Sequence, residues 1–271
     1  MSDRLFWGSP FAGYEEPYLE RWMAAFGAAA EDTKAEALWY YNGRDPEFAE
    51  LLRERAATMP IPVEVMHEHI PALGNTDPIR KNNAVTMGHA RIQYELRKRD
   101  PGAYLFMHES DVIIPEGGIQ RLRAGLEAHP ALGALSAAVP DPRGLDPPHI
   151  GTMAWRIQPR HEGAYTVPGA GPVVDYYTPE LHDGIEIVDA VPFGALFTRL
   201  AAFEKVPLAA VMFPGMGVDQ EWSQNALYKG DMPVAINWGV WCGHLRNLFN
   251  PRFDDLRERI TTAAPRKVGI A

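Results

Sequence analysis

Cysteine is almost missing from this 271-residue sequence: Cys242 stands alone, which excludes an internal disulfide and a zinc site built on several thiolates. Basic residues are scarce as well. Lys and Arg number 26 against 35 Asp and Glu, so the formal net charge is −9 and contact with a polyanion would need a local patch. No apolar run nears the roughly 20 residues that span a bilayer. Met1 to Arg4 lead straight into a mixed segment instead of a charged-then-apolar leader, and the expected compartment is the cytoplasm. Repeats and low-complexity linkers are lacking too. What remains is 46% hydrophobic and 23% charged, enough for a core of normal size.

The pattern along the chain is strand and helix in alternation. Leu5 to Phe11 reads as a strand stopped by Pro10 and Gly13, and Pro17 to Ala30 as a helix. Ala37 to Tyr41 is a second strand, ending in the turn signal Asn42-Gly43-Arg44-Asp45. A helix over Pro46 to Met59, a strand over Pro62 to His69, a long helix over Ile79 to Arg99 and an apolar strand over Ala103 to Met107 follow. Alternation of this kind predicts an α/β fold, a Rossmann-like, mostly parallel sheet flanked by helices. The second half adds a helix over Glu116 to His129 and strands over Leu132 to Val139, Ile185 to Val191 and Gly194 to Thr198. A helix over Asp219 to Lys229, a strand over Val234 to Trp241 and a terminal helix over Asn250 to Ile260 complete it. Between them, Pro140 to Pro179 is rich in proline and glycine, with an antiparallel excursion expected at Ala154 to Gln158 and Ala164 to Val167. The expectation is a single domain in three stretches, 1–111, 112–249, and a helix and tail over 250–271.

In open parallel sheets ligands collect beyond the carboxyl ends of the strands. Two polar clusters fall there: Asn42 to Asp45, and His108-Glu109-Ser110-Asp111. In extended backbone Glu109 and Asp111 would point the same way, since side chains repeat every two residues. Two carboxylates so placed suit Mg²⁺ or Mn²⁺, which take oxygen ligands and leave places for phosphates. By contrast, His67-Glu68-His69 reads as ordinary strand, with Glu68 facing away from both histidines.

The stretch Tyr104-Leu-Phe-Met-His-Glu-Ser-Asp-Val-Ile-Ile-Pro115, followed by Gly117, Gly118 and a helix through Leu122, resembles the central segment of family 2-like glycosyltransferases of the GT-A fold. In them an apolar strand delivers an Asp-x-Asp motif, followed by a hydrophobic pair, a proline and a helix; here Glu109 replaces the first Asp. The likeness continues at Val188-Asp-Ala-Val-Pro-Phe-Gly-Ala-Leu-Phe-Thr-Arg199, which is similar to the glycine-containing turn presented to donor sugar and acceptor. Gly217-Val-Asp-Gln-Glu-Trp222 is similar to the family's acidic helix start, and Trp241-Cys-Gly-His244 to the segment that brings a metal-binding histidine. The four landmarks keep the family's order across residues 104–244; the N-terminal third fits in outline only.

The resemblance implies a metal-dependent hexosyltransferase using a UDP- or GDP-sugar, with Mn²⁺ or Mg²⁺ held by Glu109, Asp111 and His244. It implies Asp219 as the general base, with Glu221 as the alternative. Asp219 opens a helix, however, where the dipole lowers a carboxylate's pKa and weakens it as a base. Direct deprotonation by Asp219 would invert the anomeric centre, although relatives of the same fold also retain it. Donor contacts are expected at Pro10 and Phe11, at Arg44 and Asp45, at Arg80 and Lys81, at Ser110 and Gly194, and at Arg246. Trp155, Tyr165, Tyr176 and Tyr177 are candidates to stack on an acceptor.

Two alternatives stand beside this reading. Arg156, Arg160, Arg246, Arg252, Arg257 and Arg259 could serve an enzyme acting on hydroxymethylated bases of DNA. The other is a nucleotide-sugar-binding protein without turnover. Nucleotidyl transfer is disfavoured, because Ser9-Pro-Phe-Ala-Gly13 is no glycine-rich basic loop. The acceptor stays open between a glycan, a small molecule and a modified DNA base.

Overall fold

The structure, a computed structural model, describes residues 2–13, 16–71, 77–139, 155–157, 174–176, 184–208 and 217–245. Strand β1 (Leu5–Phe11) turns Leu5, Trp7 and Phe11 to one face of the sheet and Phe6 to the other, so both faces are buried. Helix α1 (Leu19–Ala30) covers the first face with Trp22, Met23 and Phe26. Strand β2 (Glu36–Tyr41), helix α2 (Pro46–Ala56), strand β3 (Val63–His67), helix α3 (Asp77–Arg99) and strand β4 (Tyr104–His108) complete the first half. Each strand pairs parallel with its neighbours in the order β3-β2-β1-β4.

A two-residue strand β5 (Val112–Ile113) precedes helix α4 (Gly118–Ala128) and strand β6 (Ala134–Ala138). Strands β7 (Trp155–Ile157) and β8 (Val174–Tyr176) pair antiparallel apart from the main sheet. Strand β9 (Ile185–Val188), strand β10 (Ala195–Arg199), helix α5 (Leu200–Lys205), helix α6 (Val218–Gly230) and strand β11 (Val234–Trp241) follow, and a second two-residue strand, β12 (Gly243–His244), pairs with β5. The main sheet has eight strands in the order β3-β2-β1-β4-β10-β6-β11-β9. Strands β10 and β9 run against the rest. Helices α1, α2 and α4 cover one face and α3, α5 and α6 the other. Long helix α3 lies close on β1 because Gly8 leaves room: a Cβ there would stand 2.3 Å from Ile92 Cγ2.

The order 3-2-1-4 reverses direction between β1 and β4, and such a reversal opens a crevice at the carboxyl ends. Pairing of β1 with β4 stops at Gly8 and Met107, whereas β1 stays paired with β2 to Phe11 and Tyr41. The two central strands therefore part before their ends. Pro10 is tolerated for the same reason, since its missing N–H falls where β4 has left the ladder.

Most elements fall where the sequence places them. Helix α3 starts earlier than expected, at Asp77, with Pro78 in its first turn, where a missing N–H costs nothing. Among the described residues, the antiparallel partner of β7 is β8 at 174–176. Residues 164–167 and 250–260 lie outside the described residues. No helix among the described residues is long and apolar enough to cross a membrane.

Candidate metal and donor site

Strand β4 ends on His108, a fully buried imidazole packed on Trp22 and Phe106 at ring distances of 5.4 Å and on Trp7 at 5.5 Å. Burial pushes its pKa down to about 3, with the Val112 backbone and the Glu109 charge only partly opposing, so it is neutral at physiological pH. The chain then turns. Val112 N–H donates to the Glu109 carbonyl at 3.2 Å, and Trp22 Nε1 donates to the same oxygen at 3.1 Å. Glu109 N–H donates to Gly194 at 3.1 Å.

This turn corrects the expectation of an extended backbone through the two acids. Glu109 and Asp111 do not share one strand face, because the Glu109–Val112 hydrogen bond reverses the chain between them. Each carboxylate finds a different neighbour. Glu109 Oε1 lies 3.3 Å from Nε2 of His89, a fully buried residue of α3. Glu109 Oε2 lies 3.6 Å from where a Cβ on Gly194 would stand, and the same Cβ would meet Val112 Cγ2 at 3.0 Å. Glycine at 194 thus lets the start of β10 pass close beneath the Glu109 carboxylate.

Asp111 is buried, and its Oδ2 faces His244 Nε2 at 3.9 Å, with that imidazole buried too. The paired short strands explain the meeting. His244 lies opposite Val112 in the β5–β12 ladder, and Leu245 N–H donates to the Asp111 carbonyl at 2.7 Å. Among the described residues no three His, Cys, Asp or Glu stand close enough together to hold a metal ion. Asp111 and His244 form a pair, and the third expected member, Glu109, is turned toward α3. Such a pair would give a divalent ion of the Mn²⁺ type one carboxylate oxygen and one imidazole nitrogen, with phosphate and water oxygens for the rest. Ser110, between the acids, is buried.

Helix α6 brings the candidate bases. Gly217 is its N-cap, and Gly217 N–H donates to Gln220 Oε1 at 3.0 Å. Asp219 is therefore a first-turn acid and not the cap; its Oδ1 accepts from Gln220 N–H at 2.9 Å. Glu221 is half-buried, and that burial raises its pKa above the ordinary carboxylate value. Two contacts tie this turn to the site. Ser223 Oγ donates to the Asp219 carbonyl at 2.7 Å and accepts from Val191 N–H at 3.2 Å. Trp222 meets Phe193 at 5.7 Å, and the Phe193 ring meets His89 edge-on at 5.2 Å.

The other candidates sit at the ends of β1, β2 and α3. The Phe11 ring is only 2% exposed, closed between Trp22 and Trp39 at 5.1 and 5.6 Å. Pro10 is half-buried on the opposite face, where a Cβ on Gly88 of α3 would approach its Cβ to 3.2 Å. Arg44 is exposed and its Nε donates to His69 Nε2 at 3.2 Å; Asp45 caps α2, Oδ1 accepting from Glu47 N–H at 2.9 Å. His67 and His69 hold this turn through the carbonyls of Gly43 and Asn42 at 3.0 and 3.3 Å, a structural role. Arg80 and Lys81 fall in the first turns of α3, but their side chains, like Arg246 and the aromatic side chains of 155–177, lie outside the described residues. His89 is the residue the sequence reading missed. Its signal was helical spacing, because it shares the buried face of α3 with Ile92 and Leu96.

No protein-family model matches this chain, and no curated protein does. Solved structures do. GalNAc-T7, solved with UDP, GalNAc and Mn²⁺, is similar over 89% of this chain and 43% of its own, with 13% identity and a TM-score of 0.57. TarS of S. aureus in complex with UDP-GlcNAc is similar over 89% of this chain and 58% of its own, at 12% identity and a TM-score of 0.46. A197 from STIV is similar over 89% and 85%, at 11% identity and a TM-score of 0.46. The chain spans 43% and 58% of the first two, about half their length. With the reversal between β1 and β4, the antiparallel β10 beside β4 and the likeness to GalNAc-T7, the architecture is settled: the chain has the GT-A glycosyltransferase fold.

Proposed function

We propose that this protein is a metal-dependent glycosyltransferase that moves a hexose from a UDP- or GDP-sugar to an acceptor hydroxyl. The observation that carries the reading is the buried Asp111–His244 pair at the carboxyl end of β4, assembled by the β5–β12 ladder. A buried acid and imidazole set beside a sheet crevice is where a small divalent ion with a diphosphate would sit. The Mn²⁺ and UDP in GalNAc-T7 lend that chemistry to the fold. When bound, the ion supplies Lewis-acid stabilisation to the departing diphosphate.

The chain's own residues do the remainder. Asp111 and His244 hold the ion, and Gly194 lets the start of β10 pack close against Glu109 and Val112 at the edge of the donor site. Asp219 takes the acceptor's proton as the acceptor oxygen bonds to the anomeric carbon and the bond to the diphosphate breaks, which inverts that centre. Glu221 is the alternative base, and its raised pKa runs in the direction that strengthens a carboxylate base. Arg44, Asp45, Arg80, Lys81 and Arg246 are the donor contacts that remain to be tried by substitution.

Calorimetric titration of UDP and GDP, with and without Mn²⁺, into wild type and Asp111→Ala is the test. Binding of one nucleotide that needs Mn²⁺ and disappears in Asp111→Ala is the expected result. Nucleotide binding indifferent to Mn²⁺, or binding of neither nucleotide, would overturn the proposal.

A further inference from the structure

Glu109 stands where the related enzymes carry aspartate, and its extra methylene reaches a partner on another layer. Its Oε1 lies 3.3 Å from Nε2 of His89, which has no solvent exposure and comes from α3, packed on one face of the sheet. The imidazole is held in turn by Phe193, edge-on at 5.2 Å, one residue before Gly194. Glu109 is thus clasped between α3 and the start of β10, with its backbone N–H on Gly194 and its second oxygen over the same glycine. Asp111 faces His244 instead. The turn separates an acid clasped by His89 from one that faces His244.

We propose that His89 is the positioning residue for Glu109: its Nε2–H holds the Glu109 carboxylate over Gly194, on the donor side and out of direct contact with the ion. Divalent metal is then taken by Asp111 and His244, and the two acids of the motif have separate duties. This deepens the proposed function and rests on it for the donor. The pairing of His89 with Glu109 is tested independently.

The tests are Mn²⁺ binding, nucleotide binding and ring spectroscopy. Free-Mn²⁺ titration by electron paramagnetic resonance is expected to show Asp111→Asn weakening Mn²⁺ by about tenfold or more, and Glu109→Gln changing it little. Equal losses in the two variants would make Glu109 a direct ligand and overturn the assignment. For Mn²⁺-UDP or Mn²⁺-GDP, His89→Leu should weaken binding by about tenfold in wild type and have no further effect in Glu109→Gln; His89→Gln, which keeps a donor, should restore most of it. Additive losses would reduce His89 to a packing residue. Long-range ¹H–¹⁵N spectra of the His89 ring should show an Nε2-protonated tautomer whose signal moves in Glu109→Gln. A ring signal indifferent to Glu109 would also end the proposal. Should wild type bind no Mn²⁺-nucleotide, the donor reading fails while the ring signal still decides the pairing.

Discussion

The turn after β2 and the turn after β4 stand at equivalent places, each carrying acids beyond the carboxyl end of a parallel strand, yet they spend their polar groups differently. After β2 the protein uses its groups on itself. Asp45 caps α2, His67 and His69 occupy the Gly43 and Asn42 carbonyls, Asn42 Oδ1 accepts from Ile70 N–H at 2.8 Å, and Arg44 and Asp45 stay exposed. After β4 the acids are drawn inward: Asp111 is buried beside a buried imidazole, and Glu109 is clasped by another. Burying a carboxylate is costly without compensation. An exposed acid at a helix start is explained by the helix, whereas the buried Asp111 beside His244 is where the proposed ion would sit.

The largest effect expected from breaking this contrast comes from the inward turn. Asp111→Ala should remove Mn²⁺-dependent nucleotide binding and turnover altogether, and His244→Ala should weaken Mn²⁺ by about tenfold or more, read by titration. Next, Asp219→Asn should cut turnover by about 10²–10⁴-fold while nucleotide affinity stays constant, the range of a lost general base. If Glu221→Gln gives the greater loss, the proton goes to Glu221.

A smaller effect is expected from pH. His108 has a native pKa of about 3 against 6.5 when free, so the unfolded chain binds the extra proton between those values. Stability from this residue is complete above about 6.5 and drains away as pH falls toward 3; His108→Phe should flatten that part of a melting-temperature profile. Glu221 acts with the opposite sign. Its native pKa is raised, so its contribution declines as pH rises from the ordinary carboxylate value to the raised one, and Glu221→Gln should abolish that decline. The smallest effect belongs to the outward turn. Asp45→Ala should cost about 1 kcal/mol of stability, the worth of a helix cap, by chemical denaturation. A parallel loss of nucleotide affinity would give Asp45 the donor contact that the resemblance implies.

The same two turns show what can be read from residues alone. Strands β1 to β4 and their helices are legible because each is long enough to express its period, and Asn42-Gly43-Arg44-Asp45 announces its own turn. Strands β5 and β12 are two residues each, too short for any period, so the ladder that unites Asp111 with His244 is invisible in the sequence. Glu109 and Asp111 look like neighbours on one strand face because nothing in their identity encodes the Val112-to-Glu109 hydrogen bond. Phe11 could have been assigned to the core from its step of two with Leu5 and Trp7. His89 could not be joined to Glu109, since that meeting depends on how α3 packs across β1.

The β5–β12 ladder also has a thermodynamic consequence. Asp111 and His244 lie far apart in the sequence, so an ion held by both would staple two distant stretches of the chain. A ligand that binds only the docked arrangement stabilises it in proportion to its occupancy. Metal and strand β12 would then promote each other's binding: filling the site would tighten the β5–β12 ladder, and loosening that ladder would release the ion.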